Sequence, residues 1–408
     1  MSMIRKKEQS RQGPLLGFNV LELGTTIAGP SAGCLLADFG AKVVKIEHPE
    51  RGDDLRNWPP MKDGHSLYWK VTNRNKILIT LNLSKPEGRQ ILLDMLPKFD
   101  VLLENFRPGT LEKWGLGYDD LVSVNPRLIL ARISGYGQTG PYARRPGYGT
   151  IGEAMSGVPS FTGFPDKPPT FSAFPLVDTI AGLFAVVACL MAVYERDVTG
   201  SNQGQVIDVS LYESLFRLID SQVIGYDQLG IIKRRNGNRM DEDSPRNAYR
   251  TADGGYVAIS AGSQRTFARL AAAIGADYLI GDPRFSSPEN RIKNADELDE
   301  IVSGWFEKQT LQGALDQLED ADVIAGPVYD VRRIFCDPQY KARDNVITVP
   351  DEDFGSVRMQ GVIPKFTRTP GKVIHSGHTL GADNEIFYSE SLGFTIDKLK
   401  ELRELGVI

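Results

Sequence analysis

Residues 17–47 read GFNVLELGTTIAGPSAGCLLADFGAKVVKIE, and the change of rhythm inside them decides the fold. Apolar residues alternate as far as Leu23, a turn-forming stretch runs from Gly24 to Pro30, small residues continue as a helix to about Phe39, and a second strand spans Lys42 to Glu47. Strand, loop, helix and strand in so short a span imply parallel strands joined by a right-handed crossover. The loop then falls at the carboxyl edge of the sheet, where ligands bind in such folds.

The same rhythm continues outward. ILITLNL (77–83), a helix over 85–96, DVLLEN (100–105) and RLILARISG (127–135) extend the unit into a doubly wound α/β domain. QVIDVSLYESLFRLIDSQVIGY (205–226) adds a strand and a helix, after which the polar stretch 231–246 reads as a linker. A smaller α+β unit follows, with a hairpin over 249–262 turning at Asp253-Gly254 and helices near 265–273, 295–308 and 310–319. From about 335 the chain returns to strands and loops and ends in an amphipathic helix over 396–405. The expected organisation is a tail over 1–14, a large domain over 15–224, a linker and small domain over 225–334, and a return to the large domain over 335–408.

The 408 residues are 41% hydrophobic and 24% charged with a formal charge of −5, which supplies no global basic field for nucleic acid or an anionic membrane. Three cysteines without CxxC spacing suit a reducing cytosol. Four histidines, none in HxxxH or HxxE spacing, give no metal-site pattern, and no metal is expected. The charged start MSMIRKKEQSRQ lacks the apolar core of a signal peptide, so a cytoplasmic protein is expected.

PLVDTIAGLFAVVACLMAVYER (175–196) places Asp178 at the mouth of the most apolar run. The 14 residues from Ala181 to Tyr194 fall short of the ~20 that span a bilayer, so a buried core helix is expected. A carboxylate there suits an N-cap, where its oxygens satisfy the first turn's N–H groups.

The loop GTTIAGP (24–30) lacks GxGxxG, and GxxxxGK[ST] is absent, which argues against a dinucleotide fingerprint and a P-loop. Basic residues beyond the strands fit phosphate better: His48 and Arg51 after the second strand, Arg74 and Lys76 in TNRNK, Arg107 and Lys113 in ENFRPGTLEKWG. Singly, each reads as a solvated charge; together they mark one sheet edge.

IAGPSAGCLLADFGAKVVKIEHPERGDDLR (27–56), NRNK (73–76), ENFRPGTLEKWGLGY (104–118), ISGYGQTGPYARRPGY (133–148), AMSG (154–157), VDTIAGLFA (177–185) and RDVTGSNQGQVIDVSLYES (196–214) together resemble the class III CoA-transferases. That family contains formyl-CoA transferase and carnitine CoA-transferase and is related to α-methylacyl-CoA racemase. The resemblance implies an α/β protein with a Rossmann-like doubly wound large domain and a smaller α+β domain, two ring-like protomers interlocking as a homodimer. It implies no permanently bound cofactor, coenzyme A or an acyl-CoA as substrate, and a small carboxylic acid as the other partner; succinyl-CoA and a C4 or C5 dicarboxylate lie within the family's range.

Residue by residue, the family's catalytic aspartate matches Asp178. An ionised carboxylate can attack a thioester without an activating base, so capping and catalysis are compatible. Asn105, Phe106 and Arg107 match residues at CoA, His48 falls where several members place an arginine near the adenine, Lys76 and Lys113 are phosphate candidates, and Ala28 lies in the loop facing the thioester. Asn75 and Leu81 complete the implied CoA-binding set. Ile27 replaces the glutamine of formyl-CoA transferase, and Ala261-Gly262-Ser263 replaces its tetraglycine flap, which argues against a formyl/oxalate pair. Backbone N–H groups of the loop remain as oxyanion-hole donors. The racemases carry a histidine where Tyr148 stands, which favours transfer over racemisation. Glu153 reads either as a substrate contact or as a partly exposed helix acid. An inactive CoA-binding homologue is the non-enzymatic alternative.

Overall fold

The computed structural model describes residues 11–408; residues 1–10 of the expected tail lie outside them. The chain divides into two compact units, one holding residues up to Val158, Phe171–Val223 and Ala342–Ile408, the other Pro159–Thr170 and Ile224–Lys341. Residues 159–170, placed in the large domain by sequence, thus group with the second unit.

The first unit is a mixed α/β fold on a large parallel sheet. Its strands are β1 (Asn19–Glu22), β2 (Lys42–Glu47), β3 (Ile77–Thr80), β4 (Val101–Glu104), β5 (Ile129–Ser134) and β6 (Val206–Ser210). The spatial order is β3-β2-β1-β4-β5-β6 with every pairing parallel. This doubly wound order reverses direction between β1 and β4, which opens a crevice at their carboxyl ends. All residues of β3, β4 and β5 are buried, as expected of strands covered on both faces.

Successive strand residues feed opposite cores. Val20, Val43, Val101 and Leu103 pack under helices α1 (Ala28–Asp38) and α4 (Leu176–Tyr194). Leu21, Val44, Ile77 and Leu102 pack under α2 (Pro86–Met95) and the C-terminal helices Asn384–Leu392 and Ile396–Glu404. Small residues let α1 lie close to the sheet and to α4: a Cβ on Gly33 would stand 1.8 Å from Glu22 Oε2, and one on Gly182 would stand 2.9 Å from the Ala28 carbonyl oxygen. Two short helices, α3 (Gly149–Met155) and α5 (Leu211–Phe216), pack beside α4.

Helix α4 departs from the sequence expectation twice. It begins at Leu176 with Pro175 as N-cap, so Asp178 is its third residue and not the cap. Nor is it buried all round. Ala181, Ala185, Cys189 and Ala192 face the core, whereas Leu183, Val187, Leu190, Met191 and Tyr194 are exposed. Counting only the uncharged residues also shortened it: with the π turn that follows, Leu176–Thr199 is, among the described residues, one helix long and apolar enough to cross a membrane by length and composition. A core helix passes the same test, and the small-residue face of α4 packs on α1, β5 and β6.

The second unit holds a three-stranded antiparallel sheet in the order Ala325–Pro327, Tyr256–Ser260, Arg246–Arg250. Helices Gln264–Ala273, Ala295–Phe306 and Leu311–Asp320 share one apolar core with it. The hairpin turns at Asp253-Gly254, where Gly254 takes φ 84° and the Asp253 carboxylate accepts from the Leu311 N–H.

Candidate active site

The loop after β1 is held by side chains at several of its backbone polar groups. Asn105, just beyond β4, accepts from Thr25 N–H at 2.7 Å and donates to the Thr25 carbonyl at 2.8 Å, stitching the two sides of the crevice together. Lys45 Nζ donates to the Gly24 carbonyl at 2.6 Å. The Asp53 carboxylate accepts from Thr26 N–H at 2.9 and 3.1 Å. Thr26 sits at φ 64°, a left-handed conformation costly for a β-branched residue, so these bonds hold strained backbone in place. Asp53 and Lys45 pair at 2.9 Å with both side chains buried. Burial penalises both charges, but Lys45 keeps the Asp53 carboxyl below its usual range, and Asp53 with Glu22 keeps the ammonium above its own.

Two cavities flank this loop and share Thr25, Asp54 and Phe106. The smaller, about 240 Å³, is lined by His48, Arg51, Leu81, Ser84, Phe106 and Trp114 among others. Phe106 and Trp114 meet edge to face at 5.2 Å. Burial, then the neighbouring Arg51 charge, pushes the His48 imidazole below its ordinary value, so Arg51 is the cation there at neutral pH. Phe106 is positioned from behind, since Glu104 accepts its N–H at 2.7 Å and pairs with Arg132 at 2.7 Å.

The larger cavity, about 690 Å³, takes in Ile27, Ala28, Asn105, Arg107, Ser134, Tyr148, Gly149, Thr150, Glu153, Phe171, Ser172, Phe174 and Asp178. Asp178 projects from the first turn of α4, and its Oδ2 rests against Gly149, where a Cβ would stand 2.0 Å away. Burial raises its pKa to about 6, partly offset by its own backbone N–H. It therefore remains mostly ionised at neutral pH and is more basic than an exposed aspartate. The Tyr68 phenol, pushed up first by burial, also feels the Asp178 charge.

The sequence candidates separate cleanly in space. Ala28, Asn105, Phe106, Arg107 and Asp178 line the larger cavity, and His48, Leu81 and again Phe106 the smaller. Lys76 lines neither: its ammonium is fully buried and engages Glu22 at 2.8 Å, Asn73 at 2.9 Å and the Pro30 carbonyl at 2.9 Å, and burial lowers its pKa. Asn75 is likewise internal, donating to Asp38 at 3.0 Å and to the Lys372 carbonyl at 2.8 Å. Lys113 is exposed and lines neither cavity.

Glu153 is no partly exposed helix acid. It is 6% exposed and accepts from Ser172 N–H and Oγ, each at 2.8 Å. Gly149, Ser172, Phe171, Phe174 and Trp114 were not singled out by sequence reasoning. Arg51 was seen only as one of several basic residues; its place two residues from Asp53 was the available signal. Among the described residues, no group of three or more His, Cys, Asp or Glu side chains could hold a metal ion.

A crevice at the switch point, a loop locked beside it and the half-buried Asp178 carboxylate at the larger cavity form the candidate site. Residues 15–384 match the sequence profile of CoA-transferase family III. The chain is 42% identical to the succinyl-CoA–D-citramalate CoA-transferase of Chloroflexus aurantiacus over 97% of its own length and 98% of that protein's. It is 35% identical to the succinate–glutarate CoA-transferase of Agrobacterium fabrum, covering 88% and 90% of the two chains. A crystal structure of a CaiB/BaiF family protein from Brucella suis superposes with a TM-score of 0.84 at 32% identity, over 93% of this chain and all of that one. The cavity that holds Asp178 thus stands in a chain that belongs to CoA-transferase family III and is a class III CoA-transferase.

Proposed function

We propose that the protein moves CoA from succinyl-CoA to a small C4 or C5 dicarboxylic acid, with Asp178 as the nucleophile. The observation that carries this reading is the Asp178 carboxylate itself: half-buried, raised to a pKa of about 6, and set in the larger cavity beside the Thr25–Ala28 loop. The substrate pair rests on the relatives named above.

In the proposed sequence the carboxylate attacks the thioester carbonyl and CoA leaves as its thiolate, forming an acyl-aspartyl anhydride. The thiolate then attacks the aspartyl carbonyl, releasing the donor acid and leaving an aspartyl-CoA thioester. The acceptor carboxylate displaces the thiolate to form a second anhydride. Attack of the thiolate on the acceptor's carbonyl gives the new thioester and restores Asp178. Asn105, Phe106, Leu81, His48 and Arg51 hold the CoA moiety, with Arg51 as the phosphate cation, and Arg107 stands at the cavity as a second positive charge. Ala28 faces the thioester. The internal bonds of Asn75 and Lys76 give them an indirect part, through the backbone they hold. The working form is an interlocked homodimer in the cytoplasm, a reading supported by the exposed apolar face of α4 and by the family resemblance.

Incubation with succinyl-CoA followed by hydroxylamine or borohydride tests the reading. A mass shift on the peptide containing Asp178, with no exchange of the substrate's α-hydrogen for deuterium, is the expected result. Deuterium incorporation without an aspartyl adduct would overturn it in favour of racemisation, since a racemase's acid and base only move protons.

A further inference from the structure

Glu153 and Ser172 are absent from the chemistry above, yet both line the cavity that holds Asp178. Glu153 lies one turn after Gly149 on α3, so the helix face that seats the nucleophile also carries a buried carboxylate. Both oxygens of that carboxylate are spent on one residue, Ser172, through its N–H and its hydroxyl. Burying a carboxylate costs free energy unless such bonds replace its water.

Ser172 belongs to the irregular stretch Phe171–Pro175, whose Phe171, Ala173 and Phe174 are exposed and line the same cavity. Two backbone bonds, from Leu176 N–H to the Phe174 carbonyl and from Thr179 N–H to the Pro175 carbonyl, tie it at the α4 end. Glu153 thus fastens the far end of a wall that has no secondary structure of its own, while Asp178 is placed independently by α4 and Gly149. Loss of the fastening frees the wall without moving the nucleophile.

We propose that the Glu153–Ser172 pair is a latch that keeps water from the aspartyl intermediates and so sets the ratio of CoA transfer to thioester hydrolysis. This rests on Asp178 being the nucleophile. In the unwanted reaction water attacks the aspartyl-CoA carbonyl, the C–S bond breaks, and the thiol leaves with a proton while the carboxylate is regenerated. The net conversion is acyl-CoA and water to free acid and CoA. Both residues are positioning residues, since they act through the wall.

The experiment measures transfer and acceptor-independent release of CoA from succinyl-CoA in Ser172→Ala, Glu153→Gln and Ser172→Thr, alongside adduct formation on Asp178. Ser172→Ala and Glu153→Gln are expected to raise the hydrolysis-to-transfer ratio about tenfold, the scale set by losing one charge-assisted hydrogen bond. Their KM for succinyl-CoA should stay within about twofold of wild type, as the fastening does not touch the CoA side. Ser172→Thr, which keeps the hydroxyl, should restore the wild-type ratio. An unchanged ratio in both disrupting variants, with the adduct still forming, overturns the latch alone. Absence of the adduct from the wild-type enzyme overturns the nucleophile reading and the latch with it.

Discussion

At Asp178, burial and chemistry pull in opposite directions. Its pKa rises from 3.8 to about 6 on folding because the ionised form is poorly solvated. Between those values the folded state binds more protons than the unfolded one, so this group's contribution to stability falls as pH rises through the window, and the full cost stands above about pH 6. That cost is on the order of 3 kcal/mol for a shift of this size. Asp178→Asn is therefore expected to be inactive yet to melt at a higher temperature than wild type at about pH 8, with the gap closing below about pH 4. Equal melting temperatures at about pH 8 would falsify the burial argument. Wild-type turnover should rise along an acid limb centred near pH 6, because only the ionised carboxylate attacks. Gly149→Ala should cut turnover at least about a hundredfold while leaving the protein folded, since a Cβ 2.0 Å from Oδ2 must displace the Asp178 carboxylate, and if that is the nucleophile small misplacements cost that much. The place of Asp178 at the cavity was legible in sequence through its motif and its apolar surroundings. Gly149 was not, because nothing local to it records that a carboxylate 29 positions later will occupy the space of its missing side chain.

Elements that bury both faces announce themselves, and elements defined by a partner do not. The strands β1 to β5 and helix α1 were readable because continuous aliphatic runs and a small-residue helix follow from burial alone. The start of α4 was misplaced because Asp is a strong N-cap signal, whereas Pro175 takes the cap position here. Lys76 and Asn75 show the same limit from the other side. Their sequence setting resembles a surface loop, but Glu22 and Asp38, 54 and 37 residues earlier, draw them inward. The loop after β2 yields a prediction that divides His48 from Arg51. With the imidazole pushed toward its neutral form and Arg51 charged beside it, Arg51→Gln should raise the KM for acyl-CoA about tenfold, the worth of one hydrogen bond to a charged group. His48→Gln should raise it by less than about threefold on the same scale. Steady-state kinetics at neutral pH decide it, and equal effects of the two substitutions would put the phosphate charge elsewhere.

Across the whole molecule, the outward face of α4 is unusual for an isolated chain: Met191 is 65% and Tyr194 62% exposed on a helix whose other face is core. Val223, Ile224 and Tyr226, on the helix Gln222–Leu229 that follows, are also exposed. Apolar surface of this kind is what the proposed homodimer would cover. If the proposed interlocked homodimer is the working form, light scattering should find a dimer at nanomolar concentration, since interlocked rings separate only on unfolding, and Met191→Asp should prevent recovery of folded dimer; a folded wild-type monomer at that dilution would exclude the interlocked form. The extent of this face was illegible in sequence, where a helix apolar all round reads as fully interior.

The backbone tethers on residues 24–30 carry one more consequence, for how such an enzyme can be retooled. Gly24, Thr26 and Pro30 are each clamped by a buried side chain and Thr25 by the half-buried Asn105, so replacing a residue there disturbs several bonds at once. The facing wall presents Phe171, Ala173 and Phe174, whose side chains are exposed and whose backbone is fastened mainly at Ser172. Variation can accumulate at those three positions without touching the CoA-facing scaffold. On the proposed assignment of the CoA side, a lineage exchanging one acid for another would change its appetite on this side of the cavity and conserve its grip on CoA on the other.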